Sequence, residues 1–417
     1  MNRRRVLTSG LGACAVMGIP SVLANEASKR QFIFVFAQGG WDPTRVFVDA
    51  FSNPFVSMEA DAQRSSRGNV SFVSHPQRPS VDQFFGNYYE KALICNGVQV
   101  RSIAHEICTR IAFTGGTSGS GADWATLIGT EQAQQYTIPH MVLGGPSFSG
   151  AFGYNTVHTG SNAQLDELLS GAIVERNQQP LGQLSVPIRQ KIDSYLQQRY
   201  QARAKNALYG VDAELSQKLL SSAQAAESLK EQRYSMSFAS GVGLGQQVDL
   251  AIEALSRGMT RCVSLVHQGV NNLGWDSHAD NDATQSTLFE SLFAGLVRLM
   301  TRLHSTRDSS GQLLSENTTI MVFSEMGRTA QLNATQGKDH WPYTSVLLWG
   351  EGFSSAGVVG AFDDLYQGIP IDPTTAEYVN SGPVLSIESI GAALLVQGDV
   401  DPYTYFSDVT PLLGILR

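Results

Sequence analysis

The apolar positions of this chain fall into short uninterrupted runs. Gln31–Ala37 (QFIFVFA) is apolar almost throughout, rich in β-formers, and cut off by Gln38-Gly39-Gly40. A strand with one wet face alternates apolar and polar residues, so an unbroken run predicts a central strand buried on both faces, followed by a tight loop. Similar runs recur at Ala92–Cys95, Met141–Leu143, Cys262–His267, Thr318–Phe323 and Ser345–Trp349. Between them lie helical patterns at Val186–Tyr209, Ala213–Gln232, Gly245–Ser256 and Thr284–His304. The last gathers Leu288, Leu292, Phe293, Leu296, Leu299, Met300 and Leu303 on one face. Strands alternating with helices predict an α/β fold, a mostly parallel sheet covered on both sides in an α/β/α sandwich. The polar helical stretch at about 181–236 reads as an insertion between the two halves of the sheet. Gly115–Gly121 lacks the Lys and the strand-loop-helix order of a phosphate-binding loop and reads as a surface loop.

The N-terminus changes the picture first. Asn2-Arg3-Arg4-Arg5-Val6-Leu7 resembles a twin-arginine export signal. A modestly apolar stretch follows and closes on Val22-Leu23-Ala24, a small-x-small cleavage site. Gly10, Gly12, Gly18 and Pro20 interrupt that stretch, and a spanning helix wants roughly 20 strongly apolar residues, so cleavage after Ala24 is expected in place of an anchor. Leu11-Gly12-Ala13-Cys14 is lipobox-like, but its preceding apolar run is short. Residues 1–24 are therefore expected to be a signal peptide, with no stable membrane span after processing and a periplasmic or secreted product. Loss of Arg3, Arg4 and Arg5 makes the mature protein more acidic than the −8 of the whole chain. With no basic stripe to neutralise phosphates, nucleic acid is excluded as a partner. Four cysteines without a C-x-x-C pair argue against a thiolate zinc site. Cys95 and Cys108 are expected either as a disulfide or as buried free thiols.

The polar residues that need explaining sit directly after the predicted strands, where open α/β sheets place their ligand sites. Asp42 follows the first run. Asp276 and His278 follow Cys262–His267 in Gly274-Trp275-Asp276-Ser277-His278. Glu325 and Arg328 follow Thr318–Phe323 in Ser324-Glu325-Met326-Gly327-Arg328, and Lys338-Asp339-His340-Trp341 precedes another strand. Carboxylates and imidazoles on several strand-end loops suit a hydrolytic metal site, where a divalent cation stabilises developing negative charge. Each element alone also has a plain structural reading: an N-cap Asp beside a surface His, a Glu–Arg pair closing a turn, a polar loop. Trp41, Trp275 and Trp341 adjoin these residues as pocket walls or as core.

Phe-Ala-Gln-Gly-Gly-Trp-Asp, Gly-Trp-Asp-Ser-His, Ser-Glu-Met-Gly-Arg-Thr and Lys-Asp-His-Trp, taken together, resemble the motifs of an exported bacterial family, the domain-of-unknown-function family numbered fifteen hundred and one. The likeness runs from about Phe32 to Asp364. That family is grouped with the alkaline phosphatase and sulfatase superfamily. The resemblance therefore implies an alkaline-phosphatase-like sandwich, a single domain over residues 25–417, and one or two divalent ions (Zn²⁺, Ca²⁺ or Mg²⁺). By matching positions, it implies that Asp276, His278 and His340 hold one metal and that Asp42 and Glu325 help to hold another. Met326 stands where the superfamily has His, which leaves the second site either oxygen-rich and suited to Mg²⁺ or Ca²⁺, or empty. The nucleophile is expected to be Ser102 or a metal-bound water; Ala104 stands where family members often carry a hydroxyl. His105 is open between ligand, base and helix-face histidine. Arg328 is expected to bind the substrate anion.

Two functions follow as expectations. One is an exported metal-dependent hydrolase of a sulfate or phosphate ester, on an anionic small molecule or glycan. The other is a catalytically degenerate cell-envelope binding protein that keeps the fold. The oligomeric state is not encoded in any pattern found here.

Overall fold

The computed structural model describes residues 30–159, 173–174, 180–181, 185–207, 209–233 and 243–417. The arginine motif, the cleavage site after Ala24 and Cys14 lie outside them. In chain order the strands are β1 (Gln31–Ala37), β2 (Gln63–Arg67), β3 (Val70–Ser74), β4 (Ala92–Gln99), β5 (His140–Val142), β6 (Thr156–His158), β7 (Cys262–His267), β8 (Thr318–Phe323), β9 (Tyr343–Trp349) and β10 (Gly357–Val359). The main helices are α1 (Pro79–Tyr88), α2 (His105–Thr114), α3 (Trp124–Glu131), α4 (Val186–Asn206), α5 (Gly210–Arg233), α6 (Leu244–Ser256), α7 (Asn281–Ser305) and α8 (Ile387–Gln397).

Eight of the strands form one sheet in the order β10-β4-β9-β8-β1-β7-β5-β6. β1 lies at its centre, parallel to both β8 and β7, and β9 runs antiparallel to its neighbours β8 and β4. The unbroken apolar run of β1 is explained by what covers it. Ile33, Val35 and Ala37 face a core built with α1, α6 and α7, while Phe32, Phe34 and Phe36 face a second core built with α2, α3 and α8. The result is a three-layer α/β/α sandwich, as the pattern predicted.

This topology positions the site. The carboxyl ends of the parallel strands β1, β7, β8 and β4 lie along one edge of the sheet, and antiparallel β9 begins there. Each segment carrying a candidate residue (38–42, 268–280, 324–328, 100–105 and 337–341) is therefore delivered to the same edge.

In the stretch 181–236, α4 and α5 pair as a hairpin in which Arg203 bonds Asp212 and Ser216. Leu229 of α5 packs with Ile138, Met141, Ala254 and Met259 beside the β5 side of the sheet. Cys95, Cys108 and Cys262 are buried free thiols. Burial pushes the Cys95 and Cys262 thiols up to about 12, so neither is a nucleophile at neutral pH. Among the described residues no helix is long and apolar enough to cross a membrane.

Candidate metal centre

Two loops are laced together at the strand ends. The backbone N–H of Asn281 donates to the carbonyl of Gln336 (2.8 Å), and that of Lys338 donates to Ser277 (3.0 Å). Thr335 Oγ1 and Asn333 Nδ2 both donate to the His278 carbonyl (2.7 and 3.1 Å). The approach is so close that a Cβ on Gly337 would lie 1.9 Å from the His278 backbone. A two-residue antiparallel ribbon then pairs Gly327–Arg328 with His340–Trp341. These contacts bring the Asp276 and His278 loop against the His340 loop.

The side chains converge as a result. Asp276 Oδ1, His278 Nε2 and His340 Nε2 form a triangle with every edge 3.1 Å. His105, the first residue of α2, adds its Nε2 at 3.1 Å from His340 Nε2 and 3.5 Å from Asp276 Oδ2. Among the described residues, His105, Asp276 and His340 form a group whose ligand atoms all lie within 4.8 Å of one another.

The far nitrogen of each ring has its own partner. His105 Nδ1 faces Glu325 Oε1 (2.8 Å), His278 Nδ1 faces Asp339 Oδ1 (2.8 Å), and His340 Nδ1 faces the Ile103 carbonyl (2.9 Å). All three partners are acceptors, so each Nδ1 carries the proton and each Nε2 turns a lone pair inward. Two lone pairs and a carboxylate oxygen facing one another at 3.1 Å, with the His105 lone pair 3.1 Å from His340 Nε2, repel unless positive charge lies between them. A tetrahedral ion with nitrogen ligands at 2.0–2.1 Å sets its ligand atoms about 3.3 Å apart, close to the triangle observed. An orienting acceptor behind each imidazole is the second shell that metal-bound histidines carry. The residues thus fit a divalent cation, and the nitrogen-rich set suits Zn²⁺ better than Mg²⁺ or Ca²⁺.

The electrostatics agree. Burial works to raise the Asp276 carboxyl, but the hydrogen bond and positive charge of Arg328 outweigh it and hold the group at about 2. The hydrogen bond to Glu325 holds the His105 imidazole above its ordinary value, against the effect of burial. Hydrogen bonding to His278 holds Asp339 low.

Several candidates stand elsewhere or serve differently. Asp42 is fully buried, and its oxygens accept from Thr44 N and Oγ1, Arg45 Nε, Asn281 Nδ2 and Lys338 Nζ at 2.7–3.1 Å. Burial works to raise its pKa, but Lys338 and Arg45 outweigh that and hold it well below the usual carboxylate range. It is the hub of a buried ion network, and among the described residues no second group of metal-ligating side chains gathers around it. Glu325 has its Oε2 occupied by the N–H groups of Gly39 and Gly40 and the Ser324 hydroxyl, and its Oε1 by His105. It orients the His105 ring, and both of its oxygens have partners within the protein. Gly40, at φ +84°, is needed for that arrangement, since a Cβ there would meet Met326 and Arg328. Met326 itself is core.

Arg328 is also fully buried. Its guanidinium donates to the carbonyls of Gly39, Gly40, Trp275 and Lys338 and to Asp276 Oδ1. It clamps the loops behind the cluster, where a substrate anion cannot reach it. The Ser102 hydroxyl accepts from the Ala104 N–H (3.2 Å), and Ser102 does not line the cleft in front of the cluster. Trp41 and Trp275 are core, and Trp341 bonds the Tyr366 carbonyl.

That cleft, of about 630 Å³, has His105, Asp276 and Glu325 on its floor. Glu106, Thr109 and Arg110 of α2 form one wall, with Gln38, Gln268, Pro146 and Phe148 also lining it. Only the His105 end of this helix stood out in the sequence.

A family model described as a protein of unknown function, DUF1501, matches residues 150–381 and includes Asp276, His278, Glu325, Arg328 and His340. The chain belongs to the DUF1501 family. No curated protein matches this DUF1501 member in sequence. Among solved structures, it is similar to the lipoteichoic acid synthase LtaP from Listeria monocytogenes (TM-score 0.38, 9% identity, 81% of this chain and 70% of that one). It is also similar to an alkaline phosphatase superfamily protein from Vibrio parahaemolyticus (0.36, 10%, 89% and 67%). A third is the PsFucS1 sulfatase from Pseudoalteromonas sp. (0.38, 10%, 91% and 69%). None of the three is close enough to lend the DUF1501 chain its chemistry.

Proposed function

We propose that this protein is an exported, metal-dependent hydrolase of an anionic ester, sulfate or phosphate, on a small molecule or glycan. The observation that carries the reading is the convergence of Asp276, His278, His340 and His105, each imidazole oriented from behind by an acceptor. Asp276, His278 and His340 hold one divalent cation, and His105 lies against His340 and Asp276 beside it. Such a cation supplies fixed positive charge against the negative charge that develops as an ester bond breaks. Glu325 keeps the His105 ring in one orientation and one tautomer. Arg328 holds Asp276 ionised and fixes the loops that carry the cluster. With Ser102 turned to its own helix start, the attacking oxygen comes from solvent. The arginine motif and the cleavage site before Asn25 support export.

The test is elemental analysis of the purified mature chain, followed by turnover of aryl sulfate and phosphate esters with Zn²⁺, Mg²⁺, Ca²⁺ or Mn²⁺ supplied. About one ion per chain, turnover abolished by chelator, and a Ser102→Ala variant with unchanged kcat are the expected results. A chain without bound metal, whose melting point ignores chelator, overturns the reading. The placement of Ser102 and the burial of Arg328 favour a second reading, a binding protein built on the same site. One ion per chain with no turnover of any ester would select it.

A further inference from the structure

The cleft lacks the anion receptor that Arg328 was expected to provide, yet a cation stands at its wall. Arg110 is half-buried on the cleft face of α2, one helical turn beyond Glu106 and five residues beyond His105. Among the described residues its guanidinium has no hydrogen bond and no ion pair, although Glu106 lies at the i,i+4 spacing that surface pairs use. A planar fork left unpaired in a concave site, beside a cluster built for a cation, is what recognition of an oxyanion requires. Thr109 adds a hydroxyl on the same wall, and Gln38, Gln268 and Phe148 add amides and an aromatic face.

We infer that Arg110 binds the anionic group of the ligand, a sulfate or phosphate ester, at the wall of this cleft. Arg110 is the one Lys or Arg among the residues that line the cleft, so no other side-chain cation there is placed to receive that anion. Arg110 acts on binding and takes no part in proton movement. The inference rests on the hydrolase reading for the ester but not for the anion.

The test uses the metal-loaded mature protein, with Arg110→Gln and Arg110→Lys variants. The first measurement is binding of inorganic sulfate and of inorganic phosphate by calorimetry at fixed ionic strength. Wild type should bind sulfate, Arg110→Gln should weaken it by about 10- to 100-fold, and Arg110→Lys should recover part of the loss. Melting points within about 2 °C of wild type will show that the variants are folded, as expected for a side chain without partners. Where turnover is found, KM for a sulfate monoester should rise by a similar factor in Arg110→Gln with kcat nearly unchanged.

Sulfate affinity and KM unchanged in Arg110→Gln overturn the inference and leave the hydrolase reading standing. Arg110-dependent sulfate binding without turnover keeps the inference and removes the hydrolase.

Discussion

Replacing Asp42 by Asn separates its two possible roles. The carboxylate accepts five hydrogen bonds, two of them from buried cations, Arg45 Nε at 3.0 Å and Lys338 Nζ at 2.9 Å. Arg45 retains Glu59 and Asp282 at 3.7 and 3.1 Å when that charge is removed, whereas Lys338 is left with the Thr44 hydroxyl at 3.3 Å. Breaking one side of a buried ion pair costs about 3–5 kcal/mol, mostly because the surviving charge is stranded in a poorly polarisable interior. Asp42→Asn should lose that much in urea unfolding at pH 7 with metal held constant. Lys338→Met should lose a comparable amount. The double variant strands one charge fewer, so it should lose about 2–3 kcal/mol less than the sum of the singles. Metal affinity per folded molecule should change little in Asp42→Asn. A variant with wild-type urea stability and no bound metal would refute the structural role and restore Asp42 as a ligand.

Three further outcomes are expected. Gly337→Ala forces a methyl group into the His278 backbone and should cost at least about 2 kcal/mol; it should also weaken metal binding, read by competition with a chromogenic chelator, because the two loops must separate. Glu325→Gln keeps the shape but removes the charge behind His105, and should lower metal affinity by about 10- to 100-fold with a melting shift that disappears in excess metal. His267, buried and accepting from Trp275 Nε1 through Nδ1, has its pKa lowered by burial from 6.5 to about 4. Its contribution to stability is complete above about 6.5 and is lost as pH falls through 4, since the unfolded chain takes the proton first. Wild type should therefore lose about 2 kcal/mol more than His267→Asn between pH 7.5 and pH 5 in urea titrations. Equal losses would show that His267 titrates normally in the folded state.

The central strands were legible because burial on both faces leaves an unbroken apolar run, as in Gln31–Ala37 and Thr318–Phe323. The three-residue strands β6 and β10 are too short to leave one. Helix α8 was missed because Ile387–Gln397 is buried almost all around and shows no amphipathic period. At the site, Asp276, His278 and His340 were legible from placement after or before strands, and they do meet. Asp42 has the same placement, and what makes it a structural hub is Asn281 and Lys338, which only the fold brings beside it. Arg328 misled for a similar reason. Four of its partners are backbone carbonyls, and a carbonyl has no letter of its own in a sequence. Arg110 leaves no motif either, because its meaning lies in the partner it lacks.

The central place of β1 has a cost during synthesis. Its partners β7 and β8 begin at Cys262 and Thr318, so the first strand is made roughly 230 residues before anything can pair with it. At about 5–20 residues per second, seven mostly apolar residues wait for about 12–46 s beside the ribosome. Throughout that interval the nascent chain holds an adhesive segment that other chains or a holding chaperone can capture. The candidate metal donors, spread from His105 to His340, assemble only after that wait has ended. A captured metal ion would therefore mark a chain whose first and late strands have already joined, and would distinguish finished molecules from those still waiting for a partner.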